Sequence, residues 1–174
     1  MPVLHFRAFC FALMMVAIPS LADLPSPVSN NDEAVQRIVS GIISYTRWPK
    51  LLAPPRICIF SSSRMAKIIE KNITPLSFTP VIVENNEETL TSKCDGIYFG
   101  SESPEEQMKL IAAYQPRPLL LIAEQNTQCV TGSSFCLNIN ATPVTFAVNL
   151  DSLSRSGVRV NPEVLMLARN THHD

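Results

Sequence analysis

Four cysteines, Cys58, Cys94, Cys129 and Cys136, constrain what this chain can fold into more than any other feature, because of where the sequence sends them. Residues 1–22 read as a secretory signal: a start carrying Arg7, an apolar run over 8–18, and the small-x-small pattern Ser20-Leu21-Ala22 before Asp23. The apolar run is shorter than the roughly 20 residues of a bilayer-spanning helix, and no later segment approaches that length. The expectation is therefore an exported, soluble product. Cys10 leaves with the signal and follows Arg7-Ala8-Phe9 too early to be an acylated lipoprotein cysteine. In an oxidising compartment an even set of thiols pairs. Four cysteines allow three connectivities, and spacing favours one of them. Cys129 and Cys136 lie seven apart around Thr131-Gly132-Ser133-Ser134, a stretch able to turn back on itself, which leaves Cys58 with Cys94. A zinc site needs C-x2-4-C or H-x3-5-H spacing, which the cysteines lack, so no metal is expected.

Histidine narrows the chemistry further. His5 falls in the signal, and His172 and His173 stand at the chain end, where a fraying segment cannot hold a general base in hydrogen-bond reach of its target. A Ser-His-Asp or Cys-His site has no base, so no catalytic residue is assigned. Glu87-Glu88, Glu105-Glu106 and Asp95 read as solvated surface charge, with Glu105-Glu106 also serving a helix start. Without Arg7 the 14 Lys and Arg become 13, against 15 Asp and Glu. That balance offers no electrostatic case for nucleic acid or an anionic membrane surface.

The remaining pattern predicts an α/β domain. Residues 23–32 read as a flexible leader, 33–170 as one domain and 171–174 as a tail. Asn31 or Asp32 can cap a helix from Glu33, in which Val35, Ile38, Val39, Ile42 and Ile43 form one apolar face. Pro49 should stop it at Trp48. Strands are expected at 57–60, 81–83, 96–99 and 119–123, the last a continuous apolar run of the kind found when both sheet faces are covered. Short helices are expected over 65–71 and from Ser103-Pro104-Glu105-Glu106, which has cap, first-turn proline and N3 glutamate. A hairpin over 136–149 turns at Ala141-Thr142-Pro143. Asn161-Pro162 starts a terminal helix whose Val164, Leu165 and Leu167 pack inward. The sum is a three-layer fold around a mixed, partly parallel sheet flanked by helices. No phosphate-cradling glycine motif is present. Ser61-Ser62-Ser63-Arg64 sits at a strand-to-helix junction, where it reads as a helix cap or an anion site.

Several stretches together carry a resemblance. They are Ile38-Val39-Ser40-Gly41-Ile42-Ile43-Ser44-Tyr45-Thr46-Arg47-Trp48-Pro49, the strand Ile57-Cys58-Ile59-Phe60 with its three serines, the block 119–129, Phe146-Ala147-Val148-Asn149-Leu150, and Ser154-Arg155-Ser156-Gly157-Val158-Arg159-Val160. In this order they resemble the YfiR family, also called HmsC-like, and the four cysteines match its two-bridge arrangement. The resemblance implies a periplasmic regulator without catalysis or cofactor, sensitive to reduction and homodimeric. It would repress a YfiN-type inner-membrane diguanylate cyclase through the cyclase's periplasmic region, and a YfiB-type outer-membrane lipoprotein would relieve that repression. Less cyclic di-GMP and less biofilm would follow. A periplasmic small-molecule-binding protein is the alternative, supported by fold class alone.

For partner or anion binding the resemblance points to Arg47 and Arg159, with Arg155 able to join them; Asn161 stands where relatives can have histidine. Trp48 beside Arg47 has hot-spot composition, or else plugs the core. Phe135, on the loop a Cys129–Cys136 bridge would constrain, is expected with Leu153 in an apolar contact surface.

Overall fold

The computed structural model describes residues 30–71, 75–114 and 118–168. The signal expected at 1–22 and the tail at 171–174 lie outside them, as do residues 23–29 of the expected leader. In chain order the elements are α1 (Asn30–Tyr45), β1 (Thr46–Arg47), β2 (Arg56–Phe60), α2 (Arg64–Lys71), β3 (Thr79–Val83), α3 (Asn86–Ser92), β4 (Gly96–Phe99) and α4 (Pro104–Ala113). There follow β5 (Leu120–Ala123), β6 (Phe135–Asn138), β7 (Thr145–Val148), α5 (Leu150–Arg155), β8 (Arg159–Val160) and a terminal 3-10 helix (Pro162–Ala168).

Six strands form the main sheet in the order β3-β2-β4-β5-β6-β7, parallel except for β7, which runs antiparallel to β6. Alternation along each strand sorts side chains to two faces. Ile57, Ile59, Tyr98, Leu120, Ile122 and Phe135 share one core with the buried stripe of α1 and with Met65 and Ile68 of α2. Cys58, Phe60, Ile97, Phe99 and Leu121 form the other with Leu110 of α4. Helices thus cover both faces, as the apolar run at β5 requires. Both disulfides form as spacing favoured, Cys58–Cys94 and Cys129–Cys136.

The first helix differs from expectation at both ends. Asn31 and Asp32 lie within its first turn and do not cap it. It stops at Tyr45, three residues before Trp48, because the Thr46 hydroxyl turns back to donate to the Ile42 carbonyl (2.7 Å) and the chain leaves to pair with β8. Two short helices, α3 and α5, were not expected. Asn85 and Asn149 cap them, accepting from Glu88 N and Ser152 N. The terminal helix has three residues per turn, so Val164 and Leu167 share the inward side while Leu165 faces out, 53% exposed. At α4 the anticipated box is complete: Ser103 and Glu106 each bind the other's backbone amide.

Candidate functional site

Strand order reverses beside β2, where β3 lies on one side and β4 on the other. In open α/β sheets ligands enter outside the carboxyl ends of the strands at such a point. Here the protein's own side chains occupy the turns and the helix start, and a cleft of about 410 Å³ lined by Asp32, Ser62, Arg64, Lys67 and Glu124 opens beside them. The turn after β4 lies against the turn after β2, so that a Cβ on Gly100 would come within 2.4 Å of Ser62 Oγ. Glu102 locks the two turns together, accepting from Ser62 Oγ (2.8 Å) and from the Gly100 amide (2.7 Å). Beside it, the first amides of α2 point at Glu124: Arg64 N donates to Oε2 (2.8 Å) and Met65 N to Oε1 (3.0 Å), with Tyr98 Oη also donating to Oε1 (2.9 Å). The helix N-terminus therefore holds an internal anion. Of the serines at this junction, Ser63 takes the capping role, accepting from Ala66 N (3.1 Å). Burial pushes the Glu124 carboxyl above its usual range, against the pull of the amide and phenol hydrogen bonds. The Tyr98 phenol is raised by burial first and then by Glu124. Glu124 drew no notice in the sequence, where it is one glutamate after an apolar run.

At the opposite end of the sheet, β1 and β8 form a two-stranded clasp whose register sets Arg47 directly across from Arg159. Both side chains are exposed. Like charges at opposed positions of an antiparallel pair repel, and among the described residues neither guanidinium has an acidic partner. Arg47 is steadied by donating from Nη1 to the Ser44 and Thr46 carbonyls. A cleft of about 620 Å³ opens beside the pair, lined by Ser44, Tyr45, Arg47, Arg159, Asn161 and Glu163. Glu163 is the acid in this cleft, and Asn161 holds it through its side-chain amide (3.3 Å). On the other side of Arg47, Trp48 and Leu51 line a second cleft of about 370 Å³. Trp48 is half-buried against the core, and its indole N–H donates to the Asp95 carbonyl (2.7 Å). It is thus partly core and partly surface.

The other expected contact residues are placed elsewhere. Phe135 lies in β6 with none of its surface exposed, tilted against Phe146 at 6.0 Å between centroids. Leu153 is half-buried on the same core. The apolar surface expected from these two does not form, because β6 begins at Phe135 and its pleat turns that ring inward. Arg155 pairs with Asp151 one turn earlier on α5 (2.6 Å) and does not line the cleft of Arg47 and Arg159. The loop closed by Cys129–Cys136 is tied down from two helices. Gln107 of α4 accepts from Ser133 N and Oγ, and Ser152 of α5 donates to the Gly132 carbonyl. Gly132 has φ +82°, which a side chain would strain.

Among the described residues there is no group of three or more His, Cys, Asp or Glu side chains able to hold a metal ion, and no helix is long and apolar enough to cross a membrane. A family profile described as YfiR/HmsC-like matches residues 32–169, from the first turn of α1 to the end of the terminal helix. The match takes in the sheet, both disulfides and the β1–β8 clasp. Its members are periplasmic, non-catalytic regulators that act with a partner in cyclic di-GMP signalling, and this chain belongs to that YfiR/HmsC-like family.

Proposed function

We propose that this protein is exported to the periplasm, where it binds the periplasmic region of a YfiN-type inner-membrane diguanylate cyclase and represses it. A YfiB-type lipoprotein would then compete for it, and a homodimer would be the working unit. The observation that carries this reading is the Arg47–Arg159 juxtaposition within a chain of this family. Two guanidiniums opposed across a clasp carry an unrelieved repulsion, and a partner carboxylate seated between them would remove it with charge-assisted hydrogen bonds. Trp48, on the other flank of Arg47, supplies an aromatic surface of the kind enriched at interface hot spots.

Redox sensitivity belongs to the same proposal. Cys129–Cys136 shapes a loop gripped by α4 and α5, so reducing it would release local geometry, while Cys58–Cys94 staples two parts of the sheet. The test is cellular. In a strain lacking its own copy, the wild-type chain should lower cyclic di-GMP and surface-attached growth, and the double variant Arg47→Glu, Arg159→Glu should not, at equal abundance. Full activity of that variant would remove the clasp from the function.

A further inference from the structure

Near-neutral composition hides a sorted charge distribution. At the carboxyl ends of the parallel strands stand Glu84, Glu87 and Glu88 around the start of α3, and Glu102, Glu105 and Glu106 around the start of α4. Arg64 is the cation at that end beside Lys67, and it is paired with Asp32. At the amino ends stand Arg47, Lys50, Arg56, Lys93 and Arg159, all exposed. Arg56 opens β2, Lys93 terminates α3 just before β4, and Arg47 and Arg159 form the clasp. Asp95 and Glu163 are the acids near them, bonded to the Arg56 amide and to Asn161, so five cations stand against two carboxylates at this end.

From the middle of this basic end projects the loop 49–55, Pro-Lys-Leu-Leu-Ala-Pro-Pro. Leu52 at its tip is fully exposed (102%), and Pro49, Ala53 and Pro54 are exposed beside it. The loop is anchored at its root by Trp48 and by the Pro55 carbonyl, which accepts from Thr79 N (2.9 Å). An apolar tip on a proline-bounded loop, with Lys50 in it and Arg47 and Arg56 flanking it, matches an anionic lipid interface in both charge and polarity.

We propose that the amino end of the sheet docks on an anionic phospholipid surface, Leu52 entering the headgroup layer while Lys50 and Arg56 beside it meet lipid phosphates and the Arg47–Arg159 clasp is left to the protein partner. Each basic residue held near such a surface strengthens association about fivefold, so the pair acts together. Docking would hold the protein beside a membrane and orient its acidic end away from it.

The chain has a single tryptophan, at the root of the loop, which makes the test direct. The chain beginning at Asp23 is mixed with vesicles of phosphatidylglycerol and phosphatidylethanolamine, or of phosphatidylcholine alone, and followed by flotation and by quenching of Trp48 with brominated lipid. Flotation and quenching on the anionic vesicles only are expected, with loss at about 1 M salt, where the Debye length falls to about 3 Å. Leu52→Asp and Lys50→Glu should weaken binding, the first by more than about tenfold. Val130→Asp, at another exposed apolar site, should leave it unchanged. No binding, equal binding to phosphatidylcholine, or equal loss with Val130→Asp would overturn the proposal; the first would leave the basic end to an acidic protein. The vesicles hold no protein partner, so failure here leaves the regulatory reading untouched.

Discussion

Glu124 satisfies a helix start with a side chain of the protein itself. A doubly wound sheet offers a helix N-terminus at its strand reversal, and this chain answers it with its own carboxylate, held by two amides and a phenol. Replacing Glu124 with Gln sets an amide N–H against a backbone N–H, so one buried donor loses its acceptor. The expected cost is about 1–3 kcal/mol, measured by urea unfolding at neutral pH. The sign with pH follows from the raised carboxyl. The folded state keeps a proton that the unfolded state loses near pH 4.3, so wild-type stability relative to the Gln variant is greatest below about that pH and declines as pH rises through the folded value. A difference that instead grows with pH would contradict this. None of this was legible in the sequence, because the residues meeting Glu124 come from two other elements. Arg47 and Arg159 were legible as residues, through the family resemblance, yet their facing register was not. It depends on a pairing of two-residue strands that no periodicity announces.

At the level of elements, strongly periodic segments declared themselves and short capped ones did not. The apolar stripe of α1 and the run at β5 each had a pattern long enough to read. The helix at Asn86–Ser92 has seven residues and a single buried side chain, Thr89, so it has no stripe. Its signal was Asn85 with Glu88 three residues on, a capping pair that reads as plain surface charge when no helix is in view. Asn85→Ala should cost about 1 kcal/mol by loss of this cap, read from the shift in urea midpoint. The two bridges divide in the same way. Cys58–Cys94 spans 36 residues and Cys129–Cys136 spans seven. In the chain-entropy model, opening the first should cost about 4 kcal/mol and the second about 2. Double Ser variants compared by thermal unfolding check this, and equal losses would contradict it.

Over the whole molecule, the fold separates what the composition averages. A chain with 14 basic and 15 acidic side chains places Glu84, Glu87, Glu88, Glu102, Glu105 and Glu106 at one end of the sheet and the exposed Arg47, Lys50, Arg56, Lys93 and Arg159 at the other. Sequence order cannot reveal this, since the separation arises from where parallel strands begin and end. Layer order and sheet type were readable, because both faces of a parallel sheet must be covered and the alternation of strands and helices says so. Partner contact belongs to the same scale. The proposed clasp interface comes from two distant segments, while the shorter bridge shapes a separate loop gripped by α4 and α5. Under the proposed reading, in which that loop also takes part in partner contact, reduction of Cys129–Cys136 should change partner binding more than it changes melting temperature.

The most direct measurement is co-purification of the chain, oxidised and reduced, with the periplasmic region of its cognate membrane cyclase. Arg159→Glu is carried alongside as the interface variant. Stable association of the oxidised wild type, weakened by reduction and abolished by the charge reversal, is the expected result. Association that survives the charge reversal, or none in either redox state, would contradict a regulator that grips its cyclase through the Arg47–Arg159 clasp.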